Sequence, residues 1–410
     1  MTQSTRSRSV PEGETTRKRP KNRKAQIALV AAEAFSERGY HAVGVDDIAA
    51  TLGISGPALY RHFPNKYALF LHAALSTVGA LRSAADAAVE RSEGLPPEDR
   101  LDAILRALIS TTVENRRIGG LYRWEGRYLL PDDRTLMRAD FAALNGQITD
   151  SLHLIRPDLD PVDAATLAAS TLSVIGSITA HRAPLSARRI EKLLLSTSWA
   201  VLRCDLAAAA PADTVVDEVA APQGLAVTSK REVLLAEAMK IFKAQGYHDS
   251  SIEEIGAAAG INASSVYRHF PSKADLLAAA FYRASDRLAV ATAAALGASA
   301  DPADALRRLS GSYIDLAFAR PEVLTVYFAE IGNLPPAERT NLRNVQRLHV
   351  EEWVNLVTAV RPELTTAEAR FLVHAALSQT LDVGRLMHFD TGAVARGRML
   401  ALMTTVLTTE

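Results

Sequence analysis

Apolar residues recur three and four positions apart along most of the chain, and glycines and prolines interrupt that rhythm at regular points. From Lys21 the residues Ile27, Val30, Ala31, Ala34 and Phe35 share one helical face, and Gly39 ends the segment. A short helix over 45–52 follows, with Ile48 and Leu52 inward, until Gly53 breaks it. The next begins at Ser55-Gly56-Pro57, where a proline at the first helical positions forfeits no hydrogen bond. Its Leu59 and Phe63 face inward, which turns Ala58, Tyr60, Arg61 and His62 outward. Two short helices joined by a tight glycine turn are a helix-turn-helix. Pro64 ends the third helix, and Lys66 opens a long fourth one running to about residue 92. Five further helices are predicted over 98–116, 118–128, 132–155, 161–181 and 186–205. The fold class is all-α.

This pattern is written twice. LYRHFPNK at 59–66 returns as VYRHFPSK at 266–273, a register of 207 that also pairs Phe35 with Phe242, Gly39-Tyr40-His41 with Gly246-Tyr247-His248, and Gly53-Ile54 with Gly260-Ile261. With the register slipped to 205, Tyr122, Glu125, Pro131 and Arg134 match Tyr327, Glu330, Pro336 and Arg339. The duplication therefore takes in the bodies as well as the heads. Between them, 207–228 carries two prolines and no sustained helical face. A coil of that length reaches roughly 25 Å, enough to set two units side by side. The expected organisation is a basic arm at 1–20, heads at 21–68 and 229–275, bodies at 69–206 and 276–410, and a linker at 207–228.

Charge changes the picture only once it is divided. The 410 residues sum to zero, yet residues 1–73 hold eleven Lys/Arg against six Asp/Glu, while 229–280 hold six of each. The excess is densest in RKRPKNRK at 17–24. Such an arm is commonly a solvated tail. Next to a helix-turn-helix, Arg17, Lys18, Arg19, Lys21 and Arg23 become candidate phosphate or minor-groove contacts. The single cysteine, Cys204, excludes a disulfide framework within one chain and is read as a buried, inert thiol. The amino terminus lacks the apolar core of a signal peptide, and the alanine-rich segments carry charges every few residues. A cytoplasmic protein with no membrane partner is expected.

On the F…G-Y…I-A…G-I…YRHFP.K pattern, each half resembles a complete member of the TetR family of bacterial transcription regulators. That resemblance implies, for each half, a three-helix DNA-reading head on a six-helix body that binds a small ligand and pairs with a partner. Here both copies lie on one chain, as in tandem-headed actinobacterial regulators, including those of lipid-import operons, and pairing within the chain is expected to form a pseudo-dimer. Further self-association stays open. The resemblance places Ser55, Gly56, Pro57, Ala58, Tyr60, His62 and Lys66 at the DNA in the first head, and Asn262, Ala263, Ser264, Ser265, Tyr267, His269 and Lys273 in the second. Ser251, a good N-cap for 252–258 where the first copy has Gly44, joins the DNA-facing candidates. Tyr, His and Lys suit phosphate oxygens, which position a head. The short residues at each helix start can approach base edges, and there the heads differ: Ser-Gly-Pro-Ala against Asn-Ala-Ser-Ser.

For the body, the expected pairing helices carry small residues at three-to-four spacing: Ala164, Ala165, Ala168, Ala169, Ser173 and Gly176, and Ala369, Ala375, Ala376, Ser378 and Gly384. The second body is richer in candidate ligand residues (Tyr313, Tyr327, Phe328, Trp353, Phe371 and His374), although aromatics at helical spacing are more often core. An apolar pocket would suit an acyl-CoA, fatty acid or steroid effector. No paired histidines have metal-ligand spacing, and no phosphate loop, nucleophile elbow or clustered acid pair occurs, so no metal, cofactor, catalytic residue or enzyme activity is expected. The leading function is a repressor released by a lipid-like effector and reading a non-palindromic operator. The alternatives are an effector-independent architectural DNA-binding protein, and a ligand-binding protein with one working head.

Overall fold

A computed structural model describes residues 23–209 and 229–409, and no strand occurs among them. The arm at 1–20, Lys21 and most of the linker lie outside the described residues. The first half runs α1 (Arg23–Arg38), α2 (Val45–Thr51), α3 (Gly56–Tyr60), α4 (Lys66–Arg91), α5 (Pro97–Glu114), α6 (Pro131–Ile155), α7 (Pro161–Gly176) and α8 (Ala187–Arg203). The second runs α9 (Lys230–Gln245), α10 (Ile252–Ala258), α11 (Ala263–His269), α12 (Lys273–Gly297), α13 (Pro302–Ala319), α14 (Pro321–Glu330), α15 (Pro336–Val360), α16 (Thr366–Leu386) and α17 (Ala393–Thr408).

One expected helix takes another form. Over 118–128 the chain makes a π turn (Leu121–Glu125) and a 3-10 turn (Gly126–Tyr128), so the first body has five regular helices where the second has six. Gly119, Gly120 and Gly126 deprive the segment of helix propensity. Gly119 also cannot be replaced cheaply: a Cβ there would sit 2.5 Å from the Thr179 methyl, because the 3-10 turn Ser177–Thr179 crosses this backbone closely.

Each head has its own apolar core, with Phe35, Ile48, Leu59 and Phe70 in the first and Phe242, Ile255, Val266 and Phe281 in the second. The bodies do not. One continuous cluster runs from Leu108 and Ile148 of the first half to Trp353, Phe371 and Met403 of the second. At its centre α7 packs along α16 and α8 against α17, closing a four-helix bundle across the halves. Ala164, Ala168, Ala369, Ala375 and Ala376 are buried in that cluster, as their spacing predicts. Gly384 serves its own half instead: a Cβ there would meet Phe389 at 2.7 Å. The segments Lys66–Arg91 and Pro161–Thr179 are long and apolar enough to cross a membrane by length and composition, and in the second 78% of that window is buried against neighbouring helices.

Candidate DNA-reading heads and effector cavity

Both helix-turn-helix turns need a left-handed residue, which Gly53 (φ +63°) and Gly260 (φ +69°) supply. Buried Leu59 and Val266 anchor α3 and α11 to their heads, and the opposite faces are open. Tyr60 is 48% and Tyr267 51% exposed, unusual for tyrosines without a partner surface. Ser55, Pro57, Asn262, Ser264 and His269 are exposed; Gly56, Ala58, His62, Ala263 and Ser265 are half-buried on the same helices. The two starts differ in rigidity as well as in lettering. Asn262 caps α11, its Oδ1 accepting the Ser265 N–H at 2.9 Å and the Ser264 hydroxyl at 2.8 Å, whereas Ser55 makes no side-chain cap. Asp46 crowds Gly56 so closely that a Cβ would lie 2.5 Å from its Oδ1. Ser251 caps α10 reciprocally with Glu254, so its hydroxyl is already bonded within the head.

Several basic candidates hold the heads together. Arg23 donates to the Leu52 carbonyl at 3.3 Å, and Lys230, 207 residues on, donates to the Ala259 carbonyl at 3.0 Å. Lys24 lies 5.3 Å over Phe63, as Arg231 lies 4.4 Å over Phe270. Lys66 and Lys273 each sit 4.5 Å over the tyrosine of the Gly-Tyr-His turn. Lys273 also donates to the Tyr247 and Ser250 carbonyls at 2.5 and 2.6 Å. Burial lowers the pKa of both ammonium groups. A phosphate would have to compete with these bonds. Deleting residues 1–20 is expected to reduce the salt slope of operator binding by about 0.9 for each phosphate that the arm neutralises. Titrations against DNA at several salt concentrations check it; an unchanged slope rejects it.

The second body encloses a cavity of about 460 Å³ between α12, α13, α14, α15 and α16. Of the six candidates, Tyr313, Tyr327, Phe328 and His374 line it. Trp353 and Phe371 do not; both are fully buried in the core behind it. Trp353 supports the wall indirectly, donating to His349 Nε2 at 3.1 Å. The Tyr327 hydroxyl donates to Gln346 at 2.9 Å, and burial raises its pKa. Sequence reasoning passed over Ser285, Leu288, Thr292, Gln346 and His349. The legible signal was a stripe of small and mid-sized residues along α12 (Ala284, Ser285, Leu288, Ala289, Thr292) that cannot fill the space opposite α15. In the first body a space of about 10 Å³ lies between α4, α5 and the π turn.

The family model for "Bacterial regulatory proteins, tetR family" matches residues 27–73 and 234–280, the two heads. The chain carries two TetR-family DNA-binding heads in tandem. Over 49 residues, 12% of this chain and 22% of that protein, the chain is 49% identical to the HTH-type transcriptional activator FasR of Mycolicibacterium smegmatis. Among solved structures, the TetR-family regulator PfmR of Thermus thermophilus is 26% identical, covering 43% of this chain and 97% of its own (TM-score 0.38). A tetR-family regulatory protein of Rhodococcus RHA1 is 22% identical over 45% of this chain and 98% of its own (TM-score 0.41).

The seam between the halves of this tandem regulator is polar where it passes the cavity. His181 stacks on His374 with ring centroids 4.3 Å apart and planes 9° from parallel, and Ala180 beside it contributes to the cavity wall. Arg116 donates to the carbonyls of Ile178, His181 and Ala183 and lies 5.0 Å over Phe371. Further along, Asp382 pairs with Arg123 and accepts the Ser173 hydroxyl at 2.7 Å, and Gln379 bonds Ser170. Cys204 lies in this seam too, accepting from Thr405 at 3.5 Å, and burial raises its thiol pKa.

Proposed function

We propose that this protein is a repressor that reads an operator of two dissimilar half-sites and is released when a lipid-like effector fills the second-half cavity. The observation that carries the reading is the pairing of two exposed but differently built recognition helices, α3 and α11, over bodies fused into one core. Ordinary two-fold dimers read palindromes because their heads are identical. The pseudo-dimer formed within one chain removes that constraint.

Supporting the release step, α14 joins the cavity to the second head. Tyr327 and Phe328 line the cavity, and Glu330, completely buried at the end of the same helix, accepts the Tyr247 N–H at 2.8 Å. Asn333 just beyond bonds His248 at 2.8 Å, and the His248 ring lies 4.5 Å from that of His41 of the first head, tilted by 36°. A ligand that shifts α14 therefore acts on both Gly-Tyr-His turns. Coupling of about 1–3 kcal/mol is enough to release an operator. FasR is named an activator; the sign of regulation depends on where the operator lies relative to the promoter, and the release mechanism is the same for either.

The test is selection of bound sites from random DNA, followed by exchange of one half-site for the other. An asymmetric site is expected to bind at least about tenfold more tightly than either palindrome made from its halves, since each mismatched base pair costs about 1–3 kcal/mol. A palindrome that binds best rejects the reading.

A further inference from the structure

The large cavity is the wrong place for a charge. No lysine or arginine lines it among the described residues, and the one residue there that is charged at neutral pH is an acid, Glu352. A second compartment of about 50 Å³ adjoins it through the shared wall of Ala284, Leu288, Tyr313, Val323 and Leu324, and there two arginines appear, Arg287 of α12 and Arg320 at the start of α14. Among the described residues neither forms an ion pair, although neighbouring arginines do: Arg283 with Glu232 at 2.7 Å, Arg308 with Asp304 at 2.8 Å. Glu232, the acid whose field reaches Arg287, is held by Arg283. Arg287 is half-buried, and both burial and the charge of Arg320 lower its pKa, so an anion placed between the two would relieve both effects. Arg320 is exposed, which opens the compartment to solvent.

We propose that the effector is an amphiphile with an anionic head, its chain filling the large cavity and its carboxylate or phosphate held by Arg287 and Arg320. This rests on the reading of the cavity as the effector site. A neutral sterol would leave the arginines unused, and the lining of the large cavity itself offers an anion no lysine or arginine. The site therefore divides its ligand: apolar mass toward Tyr313 and Leu324, charge toward the arginines.

Calorimetric titration of the full chain with laurate, lauroyl-CoA and methyl laurate tests this, since the three share a chain and differ in the head. Laurate or lauroyl-CoA is expected to bind at least about tenfold more tightly than the ester, the difference a charge-assisted contact makes. Preference between the two anionic ligands tells a carboxylate head from a phosphate-bearing one. The double variant R287Q/R320Q is expected to lose that advantage while binding the ester unchanged, and R287K/R320K to keep most of it. The glutamine variant should melt no lower than the wild type, because no ion pair is removed and the repulsion between the two arginines is relieved. An ester as tight as both anionic ligands, or a glutamine variant that still favours them, overturns the assignment, as does failure of all three ligands to bind. Fluorescence anisotropy on operator DNA separates the two readings. If the anionic ligands bind through the arginines but never release DNA, the effector reading falls and the anion site stands. If the ester releases DNA as well as they do, the reverse holds.

Discussion

Taking the protein from pH 7 to pH 5 is expected to cost stability on the order of 2 kcal/mol for each of three histidines that the fold holds neutral. Burial, then the neighbouring charges of His374, Arg116, Arg182 and Arg370, push His181 down to about 2. His374 is lowered to about 4 by burial, Arg370 and Arg116, with Glu351 opposing, and His349 to about 4 by burial. An unfolded histidine titrates near 6.5. Above that pH both states are neutral and nothing depends on acidity. Between about 6.5 and 4 the unfolded chain takes up protons that the folded one refuses, so stability falls as pH falls through this window. Urea midpoints at pH 7 and pH 5 measure the loss, and His374→Gln should shrink it by removing one member of the stacked pair and relieving the other. Equal wild-type midpoints at the two pH values would sink the idea. The consequence for function is that the cavity wall and the seam loosen together in acid, since His374 belongs to both.

The heads were legible in the sequence because their determinants are local. A turn glycine with positive φ, an inward Leu59 or Val266 and a proline or cap residue act within a few positions, and a second copy 207 residues away repeats the same bonds: Arg23 to Leu52, Lys230 to Ala259. What local pattern could not show is where a side chain spends its charge. Lys66 and Lys273 read as phosphate ligands by resemblance, yet their partners are a tyrosine ring and loop carbonyls that only the folded head brings near. The cavity was half legible. Aromatic content pointed to the second body, but Trp353 and Phe371 turn into the core while Thr292 and Gln346 turn into the space, a choice made by helix rotation rather than by residue type. The absence of a regular helix at 121–125 follows from the flanking Gly119, Gly120 and Gly126, a local cue that the sequence does carry.

Asp382→Ala is expected to destabilise the protein by about 2–3 kcal/mol, the worth of charged hydrogen bonds at a part-buried seam. The Arg123 side chain is 5% exposed and comes from the π turn of the first half; Asp382 lies on α16 of the second, so their ion pair closes the seam. The same carboxylate accepts the Ser173 hydroxyl at 2.7 Å from α7, so its removal breaks two contacts across the seam. A surface pair sets the contrast. Arg106 and Glu191 approach to 2.8 Å with both side chains about half exposed, and Glu191→Ala is expected to cost under about 1 kcal/mol. Replacing both seam partners by apolar residues of similar size, Arg123→Met with Asp382→Leu, should recover most of the stability, because well-packed apolar residues commonly match a buried ion pair. Urea unfolding of the wild type and the three variants decides it. If Asp382→Ala costs no more than Glu191→Ala, the pair does not close the seam. If instead the double replacement restores stability but not operator affinity, the pair's contribution is to alignment: it fixes how α7 sits on α16, and through that the separation of two heads that must reach two different half-sites at once.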